Sequence, residues 1–190
     1  MIVSFNGDHG SGKSTIAQMV AKKLDYPRYY MGQIFRDIAK EKNITLEELH
    51  AGITDDVTID KLVDDYLVDL SNKEKDFIVE SRTAWYFIPK SIKVYFRVDS
   101  KKSAERVFLE LQKENNRNEG AELDSIKKVE ESLNKRKKMD DERYLKFYGI
   151  NIRDDRNYDL VIDTTNLTIQ EVFKKVMDFI KLKMDDDESN

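Results

Sequence analysis

The sequence contains no cysteine. Disulfide bonds and thiolate metal sites are therefore excluded, and nothing in the chain asks for an oxidising compartment. It also lacks a large charge of one sign: 37% of its residues are charged, yet the formal net charge is −4. A surface with both signs mixed is soluble and lacks the basic excess that marks nucleic-acid binders. No apolar run approaches the roughly 20 residues needed to span a bilayer. The opening MIVSFNG reads as a strand rather than a basic segment followed by an apolar one, so no signal peptide is expected and the expected location is cytoplasmic. Proline is scarce; Pro27 lacks a backbone donor and holds Tyr26 away from helix, which makes YPRYY a short extended piece. No internal repeat is visible.

What is present fits one domain of 190 residues, long enough to bury a core without staples. Residues 2–5 are apolar and precede a glycine loop, the pattern of a buried parallel strand. DFIVESR, IKVYFRV and YDLVIDT read as further buried strands. Helical periods run from Ser14 to Leu24, through MGQIFRDIAKEKN, from about Thr58 to Leu70, and through TIQEVFKKVMDFIKLK. In the third of these, Ile59, Leu62, Val63, Tyr66, Leu67 and Leu70 are expected to face inward. TLEELH opens with a capping box, Thr45 to Glu48. Strands alternating with helices from end to end predict an α/β chain with a parallel sheet covered on both faces. Residues 103–147 are charged and poor in apolar anchors, and KENNRNEGAELD interrupts them; they predict two helices joined by an exposed segment. The tail MDDDESN is acidic and expected to fray.

FNGDHGSGKSTIA carries the clearest chemistry. Gly7, Gly12, Lys13 and Ser14 satisfy G-x-x-x-x-G-K-[ST], after a predicted strand and at the start of a predicted helix. Gly7, Gly10 and Gly12 let the chain approach phosphate oxygens, successive N–H groups form a nest at a helix N-terminus, and Lys13 adds a point charge. The Ser14 hydroxyl is expected on Mg²⁺, and Thr15 caps the helix or contacts the α-phosphate. His9 reads as an exposed loop histidine rather than a catalytic base. Asp8 is odd beside an anion, with three roles open: holding loop backbone, holding a magnesium-bound water, or none.

A phosphate loop leaves open whether the phosphate is transferred, hydrolysed or held. A transferase needs a second anion site, and arginines are its natural lining. Arg36 lies one turn into a helix beginning near Gly32. Glu80 and Arg82 end a buried strand, where ligands of open parallel sheets sit. Arg106, Arg117, Arg136 and Arg143 follow on the charged segment. Singly, Arg36 and the helical arginines read as solvated surface; with a phosphate loop they point to phosphoryl transfer.

GDHGSGKST, MGQIFRDIAKEKNITLEEL, FIVESR, ERYLKFYGIN and NYDLVIDTTNLTIQEV together resemble, in order and over nearly the whole chain, the motif set of cytidylate kinases of the short archaeal type. The resemblance implies a three-layer P-loop nucleoside monophosphate kinase fold, with a parallel sheet of about five strands and a helical lid. It implies transfer of the ATP γ-phosphoryl group to CMP or dCMP with Mg²⁺. The acceptor helices would span about residues 31–75 and the lid about 103–147. Gly7, Asp8, His9, Gly10, Ser11, Gly12, Lys13, Ser14 and Thr15 would hold ATP, with Arg106 at the adenosine side or structural. Gly32, Arg36, Glu80 and Arg82 would form the acceptor site, with Glu80 also holding magnesium-bound water. Lys13, Arg82, Arg136 and Arg143 would carry the transfer.

Some positions depart from that pattern. The family's G-I-D reads Gly149-Ile150-Asn151, Glu110 stands where a lid arginine is expected, and SRTAWYFIP offers no acidic contact for the base. Trp85, Tyr86 and Phe87 read as core packing, with a wall for the acceptor base as the alternative. A same-fold kinase acting on AMP, UMP or a small metabolite, and a P-loop switch or assembly factor, stay open. A monomer is expected.

Overall fold

The structure is a computed structural model describing residues 1–45, 48–49, 58–113 and 123–188. Arg117 and most of KENNRNEGAELD lie outside these residues. Five strands form one wholly parallel sheet: β1 (Ile2–Gly7), β2 (Arg28–Tyr30), β3 (Phe77–Glu80), β4 (Ile92–Arg97) and β5 (Leu160–Asp163), in the order β2-β3-β1-β4-β5. The described helices are α1 (Lys13–Leu24), α2 (Met31–Glu41), α3 (Thr58–Lys73), the short α4 (Ala84–Phe87), α5 (Ser100–Leu111), α6 (Ile126–Tyr148) and α7 (Ile169–Glu188). The acidic tail expected to fray is thus helical as far as Glu188.

Strand side chains alternate between two cores, as the period of two requires. Ile2, Phe77 and Val79 pack toward α2, α3 and α4, where Met31, Phe35, Leu67 and Ile88 cover them. Val3, Phe5, Ile78, Val94, Phe96 and Ile162 pack toward α1 and α7, against Ile16, Val20, Val176 and Ile180. A third, smaller cluster of Ala104, Val107, Val129 and Leu133 joins α5 to α6, so the charged segment has its own apolar seam. The Thr45–Glu48 capping box forms, with each backbone N–H donating to the other's side chain at 2.7 and 3.1 Å.

One face is rotated from expectation. In α3 the buried stripe is Asp60, Val63, Asp64, Leu67, Leu70 and Ser71, whereas Leu62 and Tyr66 are exposed. Spacings of three and four residues hold, but the stripe is centred on two aspartates, because this face meets Arg143 and Tyr144 of α6 and Thr83 rather than apolar surface alone.

Register sets the site. Phe5 pairs with Glu80, Tyr30 with Glu80, and Gly7 with Phe96. The glycine loop therefore leaves β1 between the carboxyl ends of β3 and β4, the crevice where open parallel sheets hold ligands.

Candidate active site

The loop between β1 and α1 is shaped by what grips its outside. Ser103 Oγ of α5 donates to the His9 carbonyl at 2.6 Å, and Arg106 Nη1 donates to the Gly10 carbonyl at 3.3 Å. Gly10 has φ +67°, and a Cβ there would lie 2.8 Å from the Ser103 carbonyl oxygen, so no other residue fits without displacing α5. The amides of Gly7, Asp8 and Ser11 are used within the protein, by Asn6 Oδ1 and the Phe96 and Asp8 carbonyls, so the donors turned to the cleft are those at the start of α1. Helix α1 begins at Gly12 with no side-chain cap and no acidic residue in its first turn, so its first N–H groups are free for an anion. The Ser11 hydroxyl is buried and has no hydrogen-bond partner among the described residues. A phosphate chain would satisfy each of these donors.

A first cleft is lined by residues 8–15 with Arg28, Tyr30, Arg36, Arg106 and Glu110. Arg106 Nη2 also donates to the Thr164 and Thr165 carbonyls at 2.8 and 3.3 Å, fixing its guanidinium just past the end of β5. A second cavity runs beneath, lined by Lys13, Gly32, Arg36, Asp64, Glu80, Arg82 and Arg136 among others. Asp8, His9, Lys13, Tyr30 and Arg36 line both, so the two spaces meet at the lysine of the phosphate loop.

Glu80 is fully buried between cations: Lys13 Nζ lies 3.7 Å away, and Arg28 donates to it through Nε at 2.7 Å and also pairs with it through Nη2. Ser14 Oγ donates to its other oxygen at 2.7 Å. A hydroxyl and a carboxylate so close, beside a phosphate cradle, form a donor set suited to a hard cation such as Mg²⁺.

Arg36 Nη1 donates to Tyr30 Oη at 2.7 Å and to the Gly32 carbonyl at 3.0 Å. The guanidinium carbons of Arg28 and Arg36 sit 5.5 and 5.3 Å from the centre of the Tyr30 ring. Gly32 makes room for that ring: a Cβ would lie 2.7 Å from it. Burial alone would raise the Tyr30 hydroxyl pKa, but Arg36 and Lys13 outweigh it and the net shift is downward.

Arg82 Nε lies 2.8 Å from Asp140 Oδ2, and its Nη2 lies 3.2 Å from His9 Nε2. His9 is therefore not the exposed loop residue expected; it is partly buried and lines the second cavity. Burial first, then Arg136, Arg82 and Lys13, hold its pKa well below 6.5. The neutral ring is the form that can accept from a guanidinium, which only donates.

Helix α6 crosses the cavity with Arg136, Asp140, Arg143 and Tyr144 on its inner face. Arg136 is buried and lines the cavity. Arg143 does not line it; it is fully buried, with Nε 2.9 Å from Asp60 and Nη2 donating to Asp140 at 3.1 Å. Tyr144 donates to Asp60 at 3.3 Å. Asp64 accepts from Thr83 Oγ1 at 2.7 Å and from Tyr148 Oη, and burial pushes its carboxyl up to about 6. Trp85, Tyr86 and Phe87 do not line this cavity; Tyr86 packs edge to face with both neighbours, Phe87 edge to face with Tyr148, and Trp85 at a tilt against Tyr158.

Several of these groups carry no signal in the sequence. Arg28, Tyr30, Asp60, Asp64 and Asp140 read there as ordinary surface or core positions. The Asp60–Asp64 pair, one helical turn apart within an apolar period, is the one trace a sequence reading could use.

The profile of the cytidylate kinase-like family matches residues 2–166. A cytidylate kinase from Archaeoglobus fulgidus is 29% identical over 189 residues, covering 97% of this chain and 99% of that protein. Cytidylate kinases from Saccharolobus islandicus and Pyrobaculum neutrophilum are each 31% identical, over 184 and 182 residues, covering 96% and 95% of this chain and 92% of theirs. Among solved structures, shikimate kinase from Bacteroides thetaiotaomicron superposes with a TM-score of 0.60 at 14% identity, covering 95% of this chain and 98% of that one. At that identity the likeness speaks for the P-loop kinase fold alone.

Proposed function

The chain belongs to the cytidylate kinase-like family, and from that premise we propose that it transfers the γ-phosphoryl group of ATP to CMP or dCMP, giving ADP and CDP or dCDP. The observation that carries the reading is the junction of the two cavities at Lys13, Tyr30 and Arg36. A donor phosphate in the loop and an acceptor phosphate among Arg36, Arg82 and Arg136 would meet there.

Lys13 and the amides at the start of α1 would hold the donor phosphates, with the Ser11 hydroxyl beside them. Arg36 and Arg82 would grip the acceptor phosphate, whose oxygen is already nucleophilic and needs no base. Catalysis is then the alignment of two mutually repelling anions among fixed positive charges. Arg136 would neutralise charge that develops in the transition state. Arg143 would act at one remove, by holding Asp140 and Asp60 in place. Ser14 and Glu80 would hold Mg²⁺, which would supply charge neutralisation on the phosphates. Among the described residues no group of three or more His, Cys, Asp or Glu is set out as metal ligands, so most of that cation's ligands would be phosphate and water.

At the acceptor's other end, Met31, Phe35 and Val63 offer apolar wall, and Asp64 is a carboxylate suited to accept from the exocyclic amine of cytosine. Uracil presents a carbonyl oxygen at that place. The α5–α6 hairpin is the natural lid, keeping water from the junction. No helix among the described residues is long and apolar enough to cross a membrane, in keeping with a cytoplasmic enzyme, and a monomer suffices because one chain supplies every group named.

The test is ADP formation from Mg·ATP without acceptor, then with CMP, dCMP, UMP, AMP, GMP and shikimate. Stimulation by CMP or dCMP well above the others is expected. Stimulation by a different acceptor would overturn the substrate and keep the transfer. Slow release indifferent to all of them would overturn the transfer.

A further inference from the structure

Asp8 places a carboxylate on a loop whose task is to hold phosphates. Left alone, that charge would repel the ligand through a partly dehydrated medium, where Coulomb interactions are strong. The structure surrounds it instead. Arg153 Nη1 donates to Asp8 Oδ1 at 2.8 Å, Tyr95 Oη donates to the same oxygen at 3.2 Å, and Lys137 Nζ lies 3.5 Å from it. The Val98 N–H donates to Oδ2 at 3.3 Å. Arg153 reaches further: its Nε donates to Asp141 Oδ1 of α6 at 2.7 Å. Its side chain is 14% exposed and that of Asp8 10%, so solvent screens the pair weakly.

We infer that Arg153 is a positioning residue for the donor nucleotide: it cancels the Asp8 charge beside the phosphate cradle and, through Asp141, ties the phosphate loop to α6. Only a planar fork can hold one carboxylate with Nη1 and another with Nε; a lysine has a single charged atom to offer. The loop is then gripped from both lid helices, by Ser103 and Arg106 of α5 on its carbonyls and through Asp8 by α6. This rests on the reading of residues 7–15 as a triphosphate cradle.

The test is ATP titration by calorimetry on the full chain, with melting temperatures alongside, for wild type, Arg153→Met, Asp8→Asn and the double variant. Arg153→Met should bind ATP about tenfold more weakly, because the Asp8 carboxylate beside the phosphates then keeps only the half-exposed Lys137, at 3.5 Å, as a cation. Adding Asp8→Asn should restore binding to within roughly threefold of Asp8→Asn alone, a rescue that lost packing would not show. Unchanged binding in Arg153→Met, or no rescue in the double variant, overturns the inference. If Arg153→Met does not fold, Arg153→Lys serves. It keeps the charge, so ATP binding should stay within about threefold of wild type while amide exchange in α6 quickens; exchange like wild type overturns the tether. A wild-type chain that binds no ATP overturns the kinase reading, and the melting temperatures then test the pairing as a cycle, with zero coupling between Asp8 and Arg153 overturning it.

Discussion

The Nε of Arg82 lies 2.8 Å from the Oδ2 of Asp140, joining the end of strand β3 to the inner face of α6. The aspartate is fully buried and is shared with Arg143, so Arg82 is held on one side while its Nη2 reaches His9 on the phosphate loop. A guanidinium fixed in this way would need little reorganisation to receive a phosphate, and it spans the second cavity from α6 to the phosphate loop.

Arg82→Ala should lower turnover by roughly 10²- to 10³-fold, the scale seen when one preorganised transition-state donor is lost. ATP binding should stay close to wild type, because Arg82 lines the second cavity and not the first cleft. Steady-state kinetics with varied CMP, paired with ATP calorimetry, separate the two. Turnover within a fewfold of wild type would remove Arg82 from the site.

Gly32→Ala should loosen the acceptor clamp. The new methyl would sit 2.7 Å from the Tyr30 ring, and the ring must move away from Arg36, whose Nη1 it holds at 2.7 Å. Acceptor KM should rise by about tenfold, the worth of one charge-assisted hydrogen bond. The ATP KM should rise less, because Tyr30 and Arg36 line the first cleft only at its junction with the second. Equal effects on both substrates would mean that the whole sheet end has shifted.

The phosphate loop was legible in the sequence because it is local: GDHGSGKST holds its strand exit, its glycines and its helix start within a few residues. The alternation of strands and helices was legible for the same reason. Tyr30 and Arg28 were not, because their role depends on β2 pairing with β3, which sets Tyr30 against Glu80. Asp60, Asp64 and Asp140 read as surface charge until α6 is laid across α3. In the sequence His9 reads as an exposed loop residue because Arg82, which it meets in the fold, is 73 residues away. Residues placed by register and by helix crossing leave no local pattern: of the second cavity's lining, Gly32, Arg36, Glu80, Arg82 and Arg136 stood out in the sequence, whereas Tyr30, Asp60, Asp64 and Tyr144 did not.

Glu80→Gln should raise the Mg²⁺ concentration needed for half-maximal activity, by about tenfold for one lost carboxylate at a site completed by water and phosphate. It should also lower stability, because Arg28 and Lys13 lose the charge they share; both are partly exposed, so the loss is about 1–2 kcal/mol rather than that of a fully buried pair. A magnesium titration and a urea melt read the two effects separately. An unchanged magnesium requirement would take Glu80 out of the metal site.

Asp64→Asn should gain stability relative to wild type as pH rises. In the folded chain burial holds the Asp64 proton up to about pH 6. In the unfolded chain the carboxyl loses it near its ordinary value of about 3.9. Between these values the folded state binds more protons, so wild-type stability falls as pH rises through the window, and the loss is complete above about 6. Asparagine does not titrate and escapes that loss, by up to about 3 kcal/mol. It brings an offset that is the same at every pH, since an amide matches the hydroxyls of Thr83 and Tyr148 less well than a carboxylate does. The diagnostic quantity is therefore the change in the stability difference between the two proteins, from urea melts at pH 4, 5.5 and 7.5. A difference that stays constant over this range would show that Asp64 titrates as a solvated carboxyl and that the cavity floor is wetter than its burial implies.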